Sequence, residues 1–132
     1  MLRKGHILVL SHQIGLRILF RLFLKRLGHS IDIVTTRTEA MFIIKDGRDM
    51  PDLVILDLYL DNESGLKLAS DLRALHPQLP ILLIPPRDHP PPLVPQEDID
   101  AAAQMEVNIL PRGVGIGGHS FDDEILKIMD HL

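Results

Sequence analysis

Pro51-Asp52-Leu53-Val54-Ile55-Leu56-Asp57 is the stretch whose reading decides the fold. Four apolar residues run without a polar interruption and stop at a carboxylate. A strand with one wet face would alternate, so this one has both faces covered. Ile7-Leu8-Val9-Leu10 and Ile81-Leu82-Leu83-Ile84 read the same way, and Val107-Asn108-Ile109-Leu110 makes a fifth strand. Ile31-Asp32-Ile33-Val34-Thr35, the second, is polar enough to lie near a sheet edge.

Helical patterns separate these runs. They cover Gly15 to Leu27 (stopped at Gly28), Thr38 to Lys45 (ended by Gly47), Leu66 to Leu75, Asp98 to Met105, and Asp122 to Leu132 with Ser120 as cap. In the third, Leu66, Leu68, Ala69, Leu72 and Leu75 share one face. Five β-α units with doubly buried strands predict an α/β class: a doubly wound, five-stranded parallel sheet with helices on both faces. In such sheets function gathers at the carboxyl ends of the strands, near the switch in strand order. That rule selects Ser11-His12, Asp57, Pro85-Pro86 and Pro111-Arg112. Prolines at 85, 86, 90, 91, 92 and 95 predict a stiff, extended loop, with the fourth helix starting near Gln96 to Asp98.

The 132 residues are read as one domain, 1–132, large enough to bury a core. With 45% hydrophobic and 24% charged residues the chain reads as globular. A net charge of -4 gives no drive toward nucleic acid. With no cysteine, disulfides and thiolate metal sites are excluded. No apolar run approaches the roughly 18 residues of a membrane span. The short run His6 to Leu10 is not a convincing signal peptide, so a soluble, cytoplasmic protein is expected, with no membrane partner.

The Pro51 to Asp57 segment resembles the third strand of two-component response-regulator receiver domains, where the terminal aspartate is phosphorylated. Gly65, eight residues on, matches a usual glycine of that family. Thr38-Glu39-Ala40-Met41 looks like its second helix, His76-Pro77-Gln78-Leu79-Pro80-Ile81 like its entry into the fourth strand, and Leu110-Pro111-Arg112 like the end of its fifth. The resemblance runs in order along nearly the whole chain. It implies a (βα)5 flavodoxin-like receiver fold, a phosphoacceptor at Asp57, and a signalling role rather than an enzymatic one.

The departures are as informative. Ser11 and His12 occupy the family's acidic-pair positions. Pro85 stands at the switch Ser/Thr, Ile109 at the switch aromatic, and Arg112 at the lysine. Magnesium is held by oxygen ligands, commonly one or two carboxylates. Asp57 with the backbone carbonyl of Tyr59 and water would make only a weak metal site, and Asp61 is not required to join it. Magnesium binding is therefore expected to be weak or absent, and no other cofactor is implied. Arg112 remains a good phosphate partner.

Gly113-Val114-Gly115-Ile116-Gly117-Gly118 matches GxGxxG. It follows the last strand, however, and no later strand carries a ribose-binding acid, so it reads as a loop rather than a dinucleotide site. His12 reads as a loop histidine, and the other histidines show no ligand spacing. The first helix is apolar around most of its circumference, with Arg17, Arg21 and Lys25 as a charged stripe at i, i+4, i+8. That surplus predicts a partner surface with Arg17, Phe20, Arg21 and Leu24 as its residues. At least one of Leu19, Phe20, Phe23 and Leu24 is expected to face out.

Together these features predict an atypical, single-domain receiver that takes a phosphoryl group on Asp57 from a histidine kinase. The alternative is a phosphorylation-independent interaction module, and a nucleotide-binding enzyme ranks below both. A histidine kinase or other signalling protein, or a second copy of the chain, is the expected partner.

Overall fold

The computed structural model describes residues 5–60, 63–85, 94–110, 123–125 and 127–128. Its elements are β1 (His6–Leu10), α1 (Ile14–Arg26), β2 (Ser30–Val34), α2 (Arg37–Asp46), β3 (Leu53–Asp57), α3 (Gly65–Leu75), β4 (Ile81–Ile84), α4 (Gln96–Gln104) and β5 (Asn108–Ile109). Residues 123–125 and 127–128 are helical and fall inside the expected last helix. The strands form one sheet in the order β2-β1-β3-β4-β5, with every pairing parallel. The polar β2 is an edge strand, as its composition predicts.

The uninterrupted apolar runs are explained by the period of two along each strand. Ile7, Val9, Leu53, Ile55, Leu82 and Ile84 point to one side, where Leu16, Phe20 and Leu24 of α1 meet them together with Ile125 and Ile128. Leu8, Leu10, Val54, Leu56, Ile81 and Leu83 point to the other, against Ala40 and Ile44 of α2, Leu68, Ala69 and Leu72 of α3, and Ala102 of α4. Each fully buried Leu or Ile contributes roughly 1.5–3 kcal/mol, and both faces of the sheet gain it.

Local chemistry sets the helix ends. Thr36 accepts from the Glu39 N–H at 3.2 Å and donates its hydroxyl to the Glu39 carboxylate at 3.0 Å, a close relative of the capping box. Gly47, at φ 71°, closes α2 in the left-handed conformation that favours glycine. α4 begins at Gln96 behind Pro95, inside the expected window. β4 has the bounds read from the sequence, and the other boundaries differ by at most two residues, the usual fraying of helix and strand ends.

Two expectations need correction. Phe20 and Leu24 are wholly buried against the sheet and form no partner surface. Leu19 and Phe23 are half-buried, and the apolar residues that α1 turns outward are Ile14, Ile18 and Leu22. The ridge Leu16-Phe20-Leu24 has taken the core position, leaving the ridge Ile14-Ile18-Leu22 outside. Leu75 is 42% exposed, because the last residue of α3 lies at the rim of the packed layer. Asp61, Pro86, Pro111, Arg112, the Gly113 to Gly118 segment, Ser120 and most of the proline loop lie outside the described residues.

Candidate functional site

β1 and β3 are neighbours in the sheet, and the strand order reverses between them. The crevice at their carboxyl ends is where a doubly wound sheet places its ligand. Asp57 is the last residue of β3 and is 4% exposed; Ser11, directly after β1, is fully buried beside it. The Ser11 hydroxyl donates to Asp57 Oδ2 at 2.8 Å, and the His12 backbone N–H donates to the same oxygen at 3.1 Å. Ser11 Oγ also accepts from the Gln13 N–H at 3.2 Å, which fixes the turn into α1. Arg17 Nη1 donates to the Ser11 carbonyl at 3.4 Å.

Burial raises the Asp57 carboxyl above its ordinary range. The bonds from Ser11 and His12, and then the electrostatic pull of His12 and Arg17, work against that rise. The site therefore opposes ionisation by desolvation and favours it with donors that converge on one oxygen.

Gly65 fits the same geometry. A Cβ there would lie 2.1 Å from the Asp57 carbonyl oxygen and 3.0 Å from that of Leu58. The Gly65 N–H instead donates to the Leu58 carbonyl at 2.6 Å. The amino end of α3 thus rests directly on the backbone of the acidic residue, and only glycine permits the approach. On the other flank, Leu58 N–H donates to the Ile84 carbonyl at 2.8 Å, which ties the end of β3 to β4 just before Pro85.

The loop after Asp57 is tied down at several points. Tyr59 and Ser64 bridge across it, and Leu60 N–H donates to the Glu63 carbonyl at 2.9 Å. Arg37 donates to Glu63 at 2.8 Å and also pairs with Asp71 of α3. The Tyr59 hydroxyl donates to Asp98 in the first turn of α4 at 2.9 Å. Sequence reasoning used only the Tyr59 backbone carbonyl and missed this side-chain link to α4. A phenol two residues from the acidic position was the available signal, but nothing in the pattern named its partner.

Of the sequence-selected residues, the fold brings together Asp57, Ser11, His12 and Arg17. Pro85 follows directly on the end of β4, and half-buried Ile109 packs on the α2-α3-α4 side. Arg21 is exposed on α1, away from the core ridge. The donor set around Asp57 is one carboxylate, a hydroxyl and a backbone N–H, and the last two present hydrogens to it rather than lone pairs. Among the described residues no group of three or more His, Cys, Asp or Glu could hold a metal ion. This set does not fit a magnesium ion, which needs oxygen lone pairs.

A parallel five-stranded sheet of order 2-1-3-4-5 defines a doubly wound, flavodoxin-like α/β fold, here with a buried aspartate ending its third strand. The family description "Response regulator receiver domain" matches residues 7–103, and the chain belongs to that family. Receiver domains are signalling modules of two-component systems rather than enzymes in the ordinary sense. Among curated relatives, the transcriptional regulatory protein YkoG of Bacillus subtilis is 33% identical over 100 residues, covering 76% of this chain and 43% of that protein. The chain thus spans less than half the length of such relatives. Among solved structures, chemotaxis response regulator CheY4 of Vibrio cholerae aligns over 96% of this chain and 99% of its own, with a TM-score of 0.75 at 14% identity. A CheY-like receiver domain from Methanospirillum hungatei aligns over 98% and 96%, with a TM-score of 0.78, also at 14% identity. At that identity the likeness is one of fold. No helix among the described residues is long and apolar enough to cross a membrane.

Proposed function

We propose that the chain acts as an atypical receiver that accepts a phosphoryl group on Asp57 from a histidine kinase. The observation that carries this reading is the convergence of two donors on the carboxylate oxygen of a buried, strand-terminal aspartate at the sheet's switch point. Such donors favour the ionised form, which is the nucleophile, and can later hold a phosphoryl oxygen. Arg112 is the proposed second phosphate contact, in the role of the family's lysine. The pocket is proposed to work with little or no magnesium.

For the partner, the exposed ridge Ile14-Ile18-Leu22, bordered by Arg21 and Lys25, supports docking of a helical kinase segment with an acidic rim. A groove of about 210 Å³ beside it, lined by Ile14, Ile18, Ile33, Thr35 and the side chains of Arg17 and Arg21, offers a place for one side chain of the partner. Phe20 and Leu24 have no part in this surface.

A second reading keeps the binding surface and drops the chemistry. It is favoured by the burial that raises the Asp57 carboxyl and by a donor set unsuited to magnesium. Transfer from a phosphorylated histidine kinase separates the two readings. Wild type gains one phosphoryl group and Asp57→Ala gains none if Asp57 is the acceptor. Binding of the kinase without transfer, unchanged in Asp57→Ala, would leave the interaction module standing.

A further inference from the structure

Joining a phosphoryl group to a carboxylate gathers negative charge that the pocket must offset. In the family a metal ion held by the acidic pair has that task, and here the pair is Ser11 and His12. The described residues supply a cation of another kind. Arg17 lies in the first turn of α1 and is half-buried, unlike Arg21 and Lys25 of the same stripe, which are exposed. Its guanidinium donates to the carbonyl of Ser11, the same residue whose hydroxyl donates to Asp57. One residue therefore separates the guanidinium from the nucleophile. At 3.4 Å the bond is long and readily given up, and a guanidinium has five N–H donors to redirect. The amino end of α1 points the same way: it has no side-chain cap and no acidic residue in its first turn, and the His12 N–H just ahead of it already donates to Asp57.

We infer that Arg17 is a fixed cation of the Asp57 pocket, in addition to the proposed contact from Arg112, and takes the place of the metal ion. The guanidinium leaves the Ser11 carbonyl and binds the oxygens of the incoming phosphoryl group, for which its planar fork is suited. This inference rests on the phosphoacceptor reading above. In the transfer, a lone pair of the Asp57 carboxylate forms the P–O bond as the P–N bond of phosphohistidine breaks. The released electron pair stays on the imidazole nitrogen, which takes up a proton. With an acyl phosphate donor the P–O bond to the acyl group breaks, and the leaving carboxylate needs no proton. Arg17 transfers no proton in either case; it stabilises the charge on the phosphoryl oxygens.

The test uses the whole chain, a small acyl phosphate, and either magnesium or a chelator. Wild type should be labelled at similar rates in both. Arg17→Gln should be slower by roughly 100–1,000-fold in both, the usual effect of losing one preorganised donor. Arg17→Lys should recover part of the rate, and Arg48→Gln, at the opposite end of the sheet, should match wild type. Circular dichroism melting checks that each variant is folded. Labelling of Arg17→Gln at the wild-type rate would overturn the inference, as would wild-type labelling that demands magnesium. Absence of labelling in wild type under every condition would sink the phosphoacceptor reading instead. Beryllofluoride binding, followed through the fluorescence of Tyr59, the chain's one tyrosine, then decides Arg17 separately. Weaker binding to Arg17→Gln supports the assignment and equal binding refutes it.

Discussion

Asp57 and His29 are both 4% exposed and sit at opposite ends of the sheet, yet their surroundings differ in kind. His29 lies at the amino end, between α1 and β2. Its Nδ1 accepts the Gly5 N–H at 3.1 Å, while its Nε2 is buried without a hydrogen-bond partner. Burial lowers its pKa, and the nearby charge of Asp52 only partly offsets this. Asp57 lies at the carboxyl end, where burial also opposes charge, but Ser11, His12 and Arg17 all act to restore it. The amino end holds a ring neutral to close the fold. The carboxyl end keeps a carboxylate chargeable in a place where water is scarce. Buried ionisable groups with several specific partners that favour their charge are candidates for functional sites, which is what sets Asp57 apart as the residue to test.

The largest expected effect concerns the carboxyl end alone. Gly65→Ala places a methyl group against the Asp57 carbonyl, so α3 or the end of β3 must move. Urea unfolding should show a loss of about 3 kcal/mol, and the surviving fold should lose the Asp57 site. Unchanged stability would mean that the close approach is not structural.

Next comes the pH response of the amino end. The folded-state pKa of His29 lies below its ordinary 6.5, so the unfolded chain binds the proton more tightly. The stability this gives is present above pH 6.5 and is lost as pH falls through the folded value. His29→Leu should remove that dependence while costing about 1–3 kcal/mol for the unpaired Gly5 N–H. A parallel pH profile in wild type and variant would contradict the assignment.

Asp57 should respond with the opposite sign. Its folded pKa lies above the ordinary 3.8, so the native state binds the proton more tightly. Stability from this group is present below that value and is lost as pH rises through the folded pKa. At neutral pH the ionised carboxylate destabilises the fold. Asp57→Asn should therefore melt at a higher temperature than wild type at pH 7, and the gap should close in acid. A lower melting temperature at pH 7 would show that the Ser11 and His12 bonds outweigh burial.

The smallest effect belongs to the outer ridge of α1. Leu22→Glu should change stability by less than about 0.5 kcal/mol, as for a surface position, yet weaken kinase capture. A large stability loss would place Leu22 in the core and break the assignment of the two ridges.

The sheet was legible because its strands carry no alternation, and burial on both faces leaves few arrangements. Edge strand β2 was legible from Asp32, and the α4 start from Pro95. The two ridges of α1 were not: Ile18 and Phe20 are equally apolar, and only the register of the helix on the sheet decides which faces inward. The chemistry at Ser11 was half legible. Its sequence position shows a missing carboxylate, but the hydrogen bond it gives Asp57 depends on how β1 and β3 end side by side. Gly65 could be matched to the family, although the reason for it is a contact with a backbone oxygen that no spacing rule displays. Arg17 read as part of a surface stripe, and its hydrogen bond to the Ser11 carbonyl depends on the turn that follows β1.

The most direct test is mass spectrometry of the intact chain after incubation with a phosphorylated histidine kinase or a small acyl phosphate, in a chelator. One phosphoryl group should be added, released by hydroxylamine as an acyl phosphate would be, and absent in Asp57→Ala. No added mass in wild type, or an addition that persists in Asp57→Ala, would contradict it.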